Sequence, residues 1–405
     1  MNRNTCRSYG STNLKSVVSL GLSPLANNLL DSQDETAEMF PLEMMYCPES
    51  HNCQLSYVVP AEKMFNHYLY VSSTAKSFRD HFAKAADKYI REFNLNENSL
   101  VVDIGSNDGI ALVPLKEKGI KVLGIEPAKN VARIAQEKGI DTLCTYFSTD
   151  TAIDILKNYG QVDVVTASNV FAHADNLEEI ANAVFKMLKD DGTFIIEVQY
   201  LLDTIKDLTF DNIYHEHVNY WGVTSLNNFF NRLGMYVSDV EHVDTHGGSI
   251  RVYVKKELKV IKPSVFEFLI KEEEFGLTKY ETYLDFAKRV EQAKANVIKN
   301  IKLLKDQGLT LVGYGSPAKA TTSLNYFSIT NQEIDYIIED NPLKHNKFLP
   351  GINIPIYSKE KLNEKLPDVI IVMAWNFLED IKRNNQDLID KGVKFISIKD
   401  LQNEG

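Results

Sequence analysis

Four successive residues, Tyr214, His215, Glu216 and His217, stand in the stretch "FDNIYHEHVNYW" at positions 210 to 221. A phenol, two imidazoles and a carboxylate at that density suit either metal binding or proton transfer. The zinc metalloprotease pattern puts two histidines four apart on one helical face, whereas His215 and His217 are only two apart. In an extended segment residues two apart share a face, so His215 and His217 are expected on one side and Tyr214 and Glu216 on the other. Acid and base work is the better match. A histidine titrates near neutrality, and a carboxylate beside it holds a tautomer or raises its basicity.

A second chemical stretch is "VVDIGSNDG" followed by "VLGIEPA". An apolar strand runs into Asp103, Gly105, Asn107 and Gly109, a glycine turn that lets a ligand approach the backbone, with a helix expected just beyond it. Glu126, followed by Pro127, ends the next strand, where a ribose-binding acid belongs in a doubly wound fold. The three-glycine fingerprint of a pyrophosphate site is absent, and an adenosyl ligand with a cationic sulfonium fits this turn better. "TASNVFAHADNL" closes a later strand and places Asn169, Val170 and His173 at the carboxyl edge of the sheet. Farther on, "VGYGSPAKA" again joins a strand to a helix, and its glycines with Lys319 suit a phosphate. The strand after it ends in "IIEDNPLK" and gives dinucleotide binding little support.

The elements that must hold these groups fall into three regions. Residues 1–75 are irregular, with three of the four cysteines, prolines at 24, 41, 48 and 60, and short bursts such as "FPLEMMYC" and "CQLSYVV" that read as small strands of a cap. Residues 76–256 alternate continuous Val/Ile/Leu runs with amphipathic stretches, the pattern of a parallel sheet covered by helices on both faces. Residues 257–405 open with Phe286, Val290, Ala293, Val297, Ile301 and Leu304, one stripe of a long helix ending at Gly308. That helix leads into a second α/β unit. The formal charge of −11 over 405 residues argues against a nucleic-acid partner. No apolar run approaches the roughly 20 residues of a membrane span, and the start "MNRNTCRSYG" lacks the apolar core of a secretory signal. A cytoplasmic location with no membrane partner is expected. Cys6, Cys47, Cys53 and Cys144 are too few and too irregularly spaced for a disulfide framework.

Asp103 to Gly109 with Glu126, the "SNVFAH" turn, "IYHEHVNYW" and "VGYGSPAKATTSLNYF" together resemble the S-adenosylmethionine-dependent C-methyltransferases of nucleotide-linked 4-keto deoxysugars. The resemblance runs through nearly the whole chain. It implies a small zinc-binding cap, a Rossmann-like class I methyltransferase domain, and a C-terminal Rossmann-like α/β domain that holds the nucleotide sugar. It also implies a dTDP-type substrate methylated at C3. The ketone at C4 makes that C–H acidic, because it takes the charge as an enolate. By the same resemblance His217 is the base with Glu216 beside it, and Tyr214 orients the sugar or donates to the oxyanion. Tyr68 is the tyrosine supplied by the cap, and His173 assists at the keto oxygen. Candidate substrate contacts are His246, Arg251, Tyr314, Ser316, Lys319, Asn325 and Asn376, with Arg251 and Lys319 neutralising a diphosphate. The His215 side chain is expected to be structural.

The cap departs from that family's two Cys-x-x-Cys pairs, because Tyr9 stands where a cysteine would. Cys6, Cys47, His51 and Cys53 could still make a Cys3His zinc set, the alternative being a cap that has lost its metal and is held by its apolar core. Two other functions stay open at this level. One is an O-methyltransferase or epimerase-like enzyme on the same scaffold; the other is a non-catalytic nucleotide-sugar-binding protein.

Overall fold

The computed structural model describes residues 1–65, 71–74, 76–245, 247–257 and 260–403. Tyr68 and His246 lie outside the described residues. Strands β1 (Lys15–Pro24), β2 (Met39–Cys47) and β3 (Asn52–Leu55) form an antiparallel cap sheet. The middle region is built on β4 (Leu100–Ile104), β5 (Lys121–Ile125), β6 (Thr142–Leu143), β7 (Val162–Ser168) and β8 (Leu188–Gln199). These are parallel in the order β8-β7-β4-β5-β6. Helices Lys129–Glu137, Thr149–Tyr159 and Leu177–Met187 make the crossovers. Every residue of β4 is buried, which is what a central parallel strand covered on both faces demands of "LVVDI".

Two features differ from the sequence reading. The helix expected directly behind the glycine turn is only Val113–Lys116. Pro114 can enter a helix only in its first turn, so the intervening residues stay irregular. The far edge of the sheet is an antiparallel hairpin of β10 (Tyr236–Val243) and β11 (Ser249–Lys255), β11 pairing with β8. A loop of residues 244–248 is too short for a parallel crossover. Between β8 and the hairpin, the two-residue strand β9 (Asn219–Tyr220) leaves the middle region and pairs with β3, completing the cap sheet.

The helix Tyr280–Asp306 buries Phe286, Val290, Ala293, Val297 and Ile301 and ends at Gln307, with Gly308 at φ +76° beyond it. Tyr283 from this helix stacks 4.4 Å from Tyr46 of the cap. The last region carries a five-stranded sheet with every pairing parallel. Its strands are β12 (Leu311–Tyr314), β13 (Ile337–Ile338), β14 (Ile356–Tyr357), β15 (Val369–Val372) and β16 (Lys394–Ser397), ordered β14-β13-β12-β15-β16. In both α/β sheets the strand order reverses beside the first strand, between β4 and β7 and between β12 and β15. Ligand crevices of doubly wound sheets open at such points.

Candidate active site

At the first reversal point Gly105 has φ +68° and donates its N–H to the Ile125 carbonyl at 2.8 Å. A Cβ there would lie 2.4 Å from Val170 Cγ2, so the glycine is needed for the approach of the Asn169–Val170 turn. Glu126 accepts from the backbone N–H groups of Asn107 at 2.9 Å and Ala128 at 2.8 Å. Two of its lone-pair directions remain for further donors. Asp103 accepts from the Thr166 hydroxyl at 2.6 Å. Burial pushes the Asp103 carboxyl up to about 7, with Thr166 opposing and the charge of Glu126 adding to the shift. Burial also raises Glu126 against its two backbone donors. Two buried carboxyls of this kind favour a ligand that brings hydroxyl donors and positive charge, and S-adenosylmethionine has both. Asp108 forms a 2.7 Å ion pair with Lys138, and a Cβ on Gly109 would meet Ile140 and Ala135, so these two residues fasten the turn to its neighbours.

The Tyr214–His217 string is not extended. It is a turn closed by the His217 N–H on the Tyr214 carbonyl at 2.9 Å, and the alternation expected from an extended segment is overturned. Tyr214 and His217 come together, with ring centroids 4.0 Å apart, and His173 joins them 5.1 Å from His217. His217 Nδ1 lies 2.8 Å from the Asn212 carbonyl oxygen. A carbonyl only accepts, so Nδ1 carries the proton and the basic lone pair sits on Nε2. Glu216 accepts from Asn27 Nδ2 of the cap at 2.6 Å. The His215 ring turns the other way, with Nε2 3.2 Å from the Pro41 carbonyl and Phe40 edge-on, and burial lowers its pKa to about 4. Immediately downstream, Asn219 Nδ2 donates to the Ala174 carbonyl at 2.8 Å, tying β9 to the loop that carries His173.

The substrate candidates separate into two groups. Lys319 is buried with its ammonium 4.5 Å from the Trp375 ring; burial lowers its pKa, while Asp211 works in the other direction. Ser316 gives both its N–H and its hydroxyl to Glu339, and Asn376 is exposed on the turn after β15. These residues share the second reversal point. Arg251 does not join them. Its guanidinium is buried on Glu197 at 2.8 and 3.0 Å and on Glu241 at 3.2 Å, with His81 also on Glu197, which removes it from any diphosphate. Burial opposes the Glu197 charge, but the hydrogen bond from His81 and the charge of Arg251 hold the carboxyl at about 2. Tyr314 donates to Asp340 at 2.9 Å. Asn325 donates to the Thr321 and Pro350 carbonyls and supports the 350–351 turn. Sequence reasoning missed Asn27, Asn212, Asp211 and Trp375. The last two are joined by a 2.7 Å bond from Trp375 Nε1 to Asp211 Oδ2.

The Cys3His zinc set is not assembled. His51 Nδ1 is 2.8 Å from the Tyr46 hydroxyl, and Cys53 is buried beside Tyr283. Cys6 and Cys47 do meet, but the other groups around Cys6 are the hydroxyls of Ser8 and Ser50, each 3.2 Å from its sulfur. Among the described residues no three His, Cys, Asp or Glu side chains converge to hold a metal ion. Two thiols do not fit a tetrahedral structural zinc. The N-terminal loop is fastened otherwise. Arg7 donates to Asp175 at 2.7 Å and to the Leu55 carbonyl at 2.9 Å, which joins the cap to the His173 loop.

Three families match the chain in order. One provisionally described as a zinc binding domain covers residues 6–65, a methyltransferase domain covers 76–240, and a C-methyltransferase C-terminal domain covers 244–398. The C-methyltransferase NovU of Streptomyces niveus is 34% identical over 395 residues, spanning 96% of this chain and 94% of its own. The mitochondrial ubiquinone biosynthesis O-methyltransferase of Bos taurus is 30% identical over 101 residues, only 24% of this chain and 27% of its own. No helix among the described residues is long and apolar enough to cross a membrane. With the match to NovU end to end and the Asp103–Glu126 crevice suited to an adenosyl cation, the chain belongs to the S-adenosylmethionine-dependent C-methyltransferases.

Proposed function

We propose that the protein methylates C3 of a nucleotide-linked 4-keto deoxysugar of the dTDP type, with His217 as the base. The observation that carries this reading is the bond between His217 Nδ1 and the Asn212 carbonyl, which leaves Nε2 as the proton acceptor. The C3 proton passes to His217 Nε2, and the electron pair of the broken C–H bond moves toward the C4 oxygen as an enolate. Tyr214 and His173, whose rings flank His217, are the nearby groups able to donate to that oxygen. Glu216, next to His217 in the chain and bonded to Asn27 of the cap, is the carboxylate that would favour the imidazolium once the proton has moved. S-adenosylmethionine supplies an electrophilic methyl group, and Asp103, Asn107, Glu126 and the Asn169–Val170 turn are the residues that would hold it. Lys319 and Asn376 at the second reversal point are the residues that would receive the nucleotide diphosphate, whereas Ser316, with its N–H and hydroxyl both on Glu339, has no donor left for it.

The test is mass spectrometry of a panel of nucleotide 4-keto deoxysugars incubated with enzyme and S-adenosylmethionine in deuterated water, beside His217→Ala. The expected result is a one-methyl gain that the variant loses, with NMR placing the carbon at C3. Deuterium uptake without methylation would move the reading to an epimerase-like enzyme. A methyl group on oxygen would refute it.

A further inference from the structure

The Asn212 carbonyl that fixes His217 belongs to a single 3-10 turn, Phe210–Asn212, and that turn is gripped from the C-terminal unit. Phe210 is buried edge-on between Tyr326 at 5.6 Å and Phe327 at 5.7 Å, both on the helix Ala318–Phe327. The buried Asp211 carboxylate accepts from Trp375 Nε1. The indole itself has little freedom. Lys319 and Lys399 each place Nζ 4.5 Å from its ring, and a Cβ on Gly247 would come within 2.6 Å of it. A continuous set of contacts therefore runs from the crevice after β15, through the indole N–H and Asp211, to the carbonyl that holds the base.

We infer that Trp375 is a positioning residue for His217: its N–H fixes Asp211, Asp211 fixes the Phe210–Asn212 turn, and the Asn212 carbonyl holds His217 with its proton on Nδ1. The C-terminal unit thereby sets the protonation geometry of the base as well as offering a face to the substrate. The role of His217 as base rests on the proposed function; the positioning of its ring does not.

Trp375→Phe keeps an aromatic ring and removes the N–H donor together with part of the ring surface, so it is read beside Asp211→Leu, which removes the acceptor and leaves the indole in place. In the full-length chain with 15N-labelled histidine, long-range 1H–15N NMR reports which His217 nitrogen carries the proton. The wild type is expected to show Nδ1–H, and Trp375→Phe a mixture of tautomers. With a sugar substrate, kcat is expected to fall roughly ten- to hundredfold, the acidic limb of its pH profile to move, and KM for S-adenosylmethionine to stay. Asp211→Leu should copy these effects, whereas Asp211→Asn, which keeps an acceptor for the indole, should restore most of the wild-type behaviour. Phe327→Leu loosens packing without touching the N–H and should lower stability while leaving the tautomer and pH profile alone. An unchanged Nδ1–H signal in both Trp375→Phe and Asp211→Leu would overturn the inference even if the sugars are methylated. A clear tautomer change in a protein that methylates none of them would uphold it and discard the substrate reading.

Discussion

The two α/β units solve the same backbone problem twice and surround the result with different charges. After β4, Gly105 at φ +68° donates to the Ile125 carbonyl; after β12, Gly315 at φ +84° donates to the Ile338 carbonyl at 2.7 Å. Glu126 takes backbone N–H groups from Asn107 and Ala128, and Glu339 takes them from Ser316 and Asn341. The side chains then diverge. Two residues before the first glycine stands the buried Asp103, and two before the second stands Gly313. Glu339 is accompanied by Lys344, 3.8 Å away, and the crevice beyond it by Lys319 and Lys399, while burial raises both carboxyls of the first unit. A glycine turn and a strand-end acid therefore recur in both units, while the charges around them differ, two raised carboxyls in one and a carboxylate accompanied by lysines in the other.

Breaking the turns should give the largest effects and should separate the units. Gly105→Ala combines a left-handed backbone with a 2.4 Å approach to Val170. It should destabilise the protein by about 3–4 kcal/mol and abolish binding of S-adenosylmethionine in calorimetry. Gly315→Ala meets Ala374 at the milder 3.2 Å and should cost about 1–2 kcal/mol, with that binding intact. Adding Val170→Ala to the first variant should recover part of its loss. Equal costs in the two units, or no recovery, would mean that the Val170 contact does not set the difference between the two turns. Next in size, Glu126→Gln exchanges an ionised acceptor for an amide and should weaken S-adenosylmethionine by about tenfold or more, whereas Glu339→Gln should leave its affinity unchanged. A matching loss in both variants would erase the functional distinction.

Those contrasts also show what the sequence could tell. Strands such as β15, wholly apolar, and β4, apolar but for Asp103, and a stripe of Phe286, Val290, Val297 and Ile301 followed by Gly308, are legible because burial on both faces, or on one helical face, leaves a pattern in the residue types. The two-residue strand β9 is not, since it exists only because Cys53 and Gln54 are there to pair with it. Nor is the hold on His217, which comes from a backbone carbonyl that every residue type possesses. Arg251 looked like a phosphate ligand because its partner Glu197 lies 54 residues earlier on the neighbouring strand. Nothing in the sequence marks Trp375, beside the expected Asn376, and only the fold shows its N–H turned to Asp211.

A smaller effect sharpens the charge argument. The Asp103 carboxyl, ordinarily ionising at 3.8, is held up to about 7, so the folded chain keeps a proton that the unfolded chain has released. The stability of the ligand-free protein at this site accordingly declines as pH rises from about 4 to about 7 and does not return above it. A cationic ligand favours the carboxylate, so the affinity for S-adenosylmethionine should rise from about pH 6 to 8, by no more than about tenfold per unit. Asp103→Asn should flatten that slope. An unchanged slope in the variant would assign the pH dependence to another group.

The smallest effect is expected in the cap, where no metal-holding set of side chains is assembled among the described residues. Cys6 and Cys47 still meet, but Ser50 stands three residues after Cys47 and Tyr9 three after Cys6, and Tyr9 is about half exposed. The work of holding the loop falls to Arg7 and to the packing of Tyr46 against Tyr283. Protein purified without added zinc should therefore lack a stoichiometric metal, and a strong chelator should move Tm by less than about 2 °C. Restoring the missing thiols with Tyr9→Cys and Ser50→Cys together should create a four-thiolate site that takes up zinc and makes Tm chelator-sensitive. Stoichiometric zinc in the wild type that disappears in Cys47→Ser would show instead that two thiols suffice with partners outside the described residues.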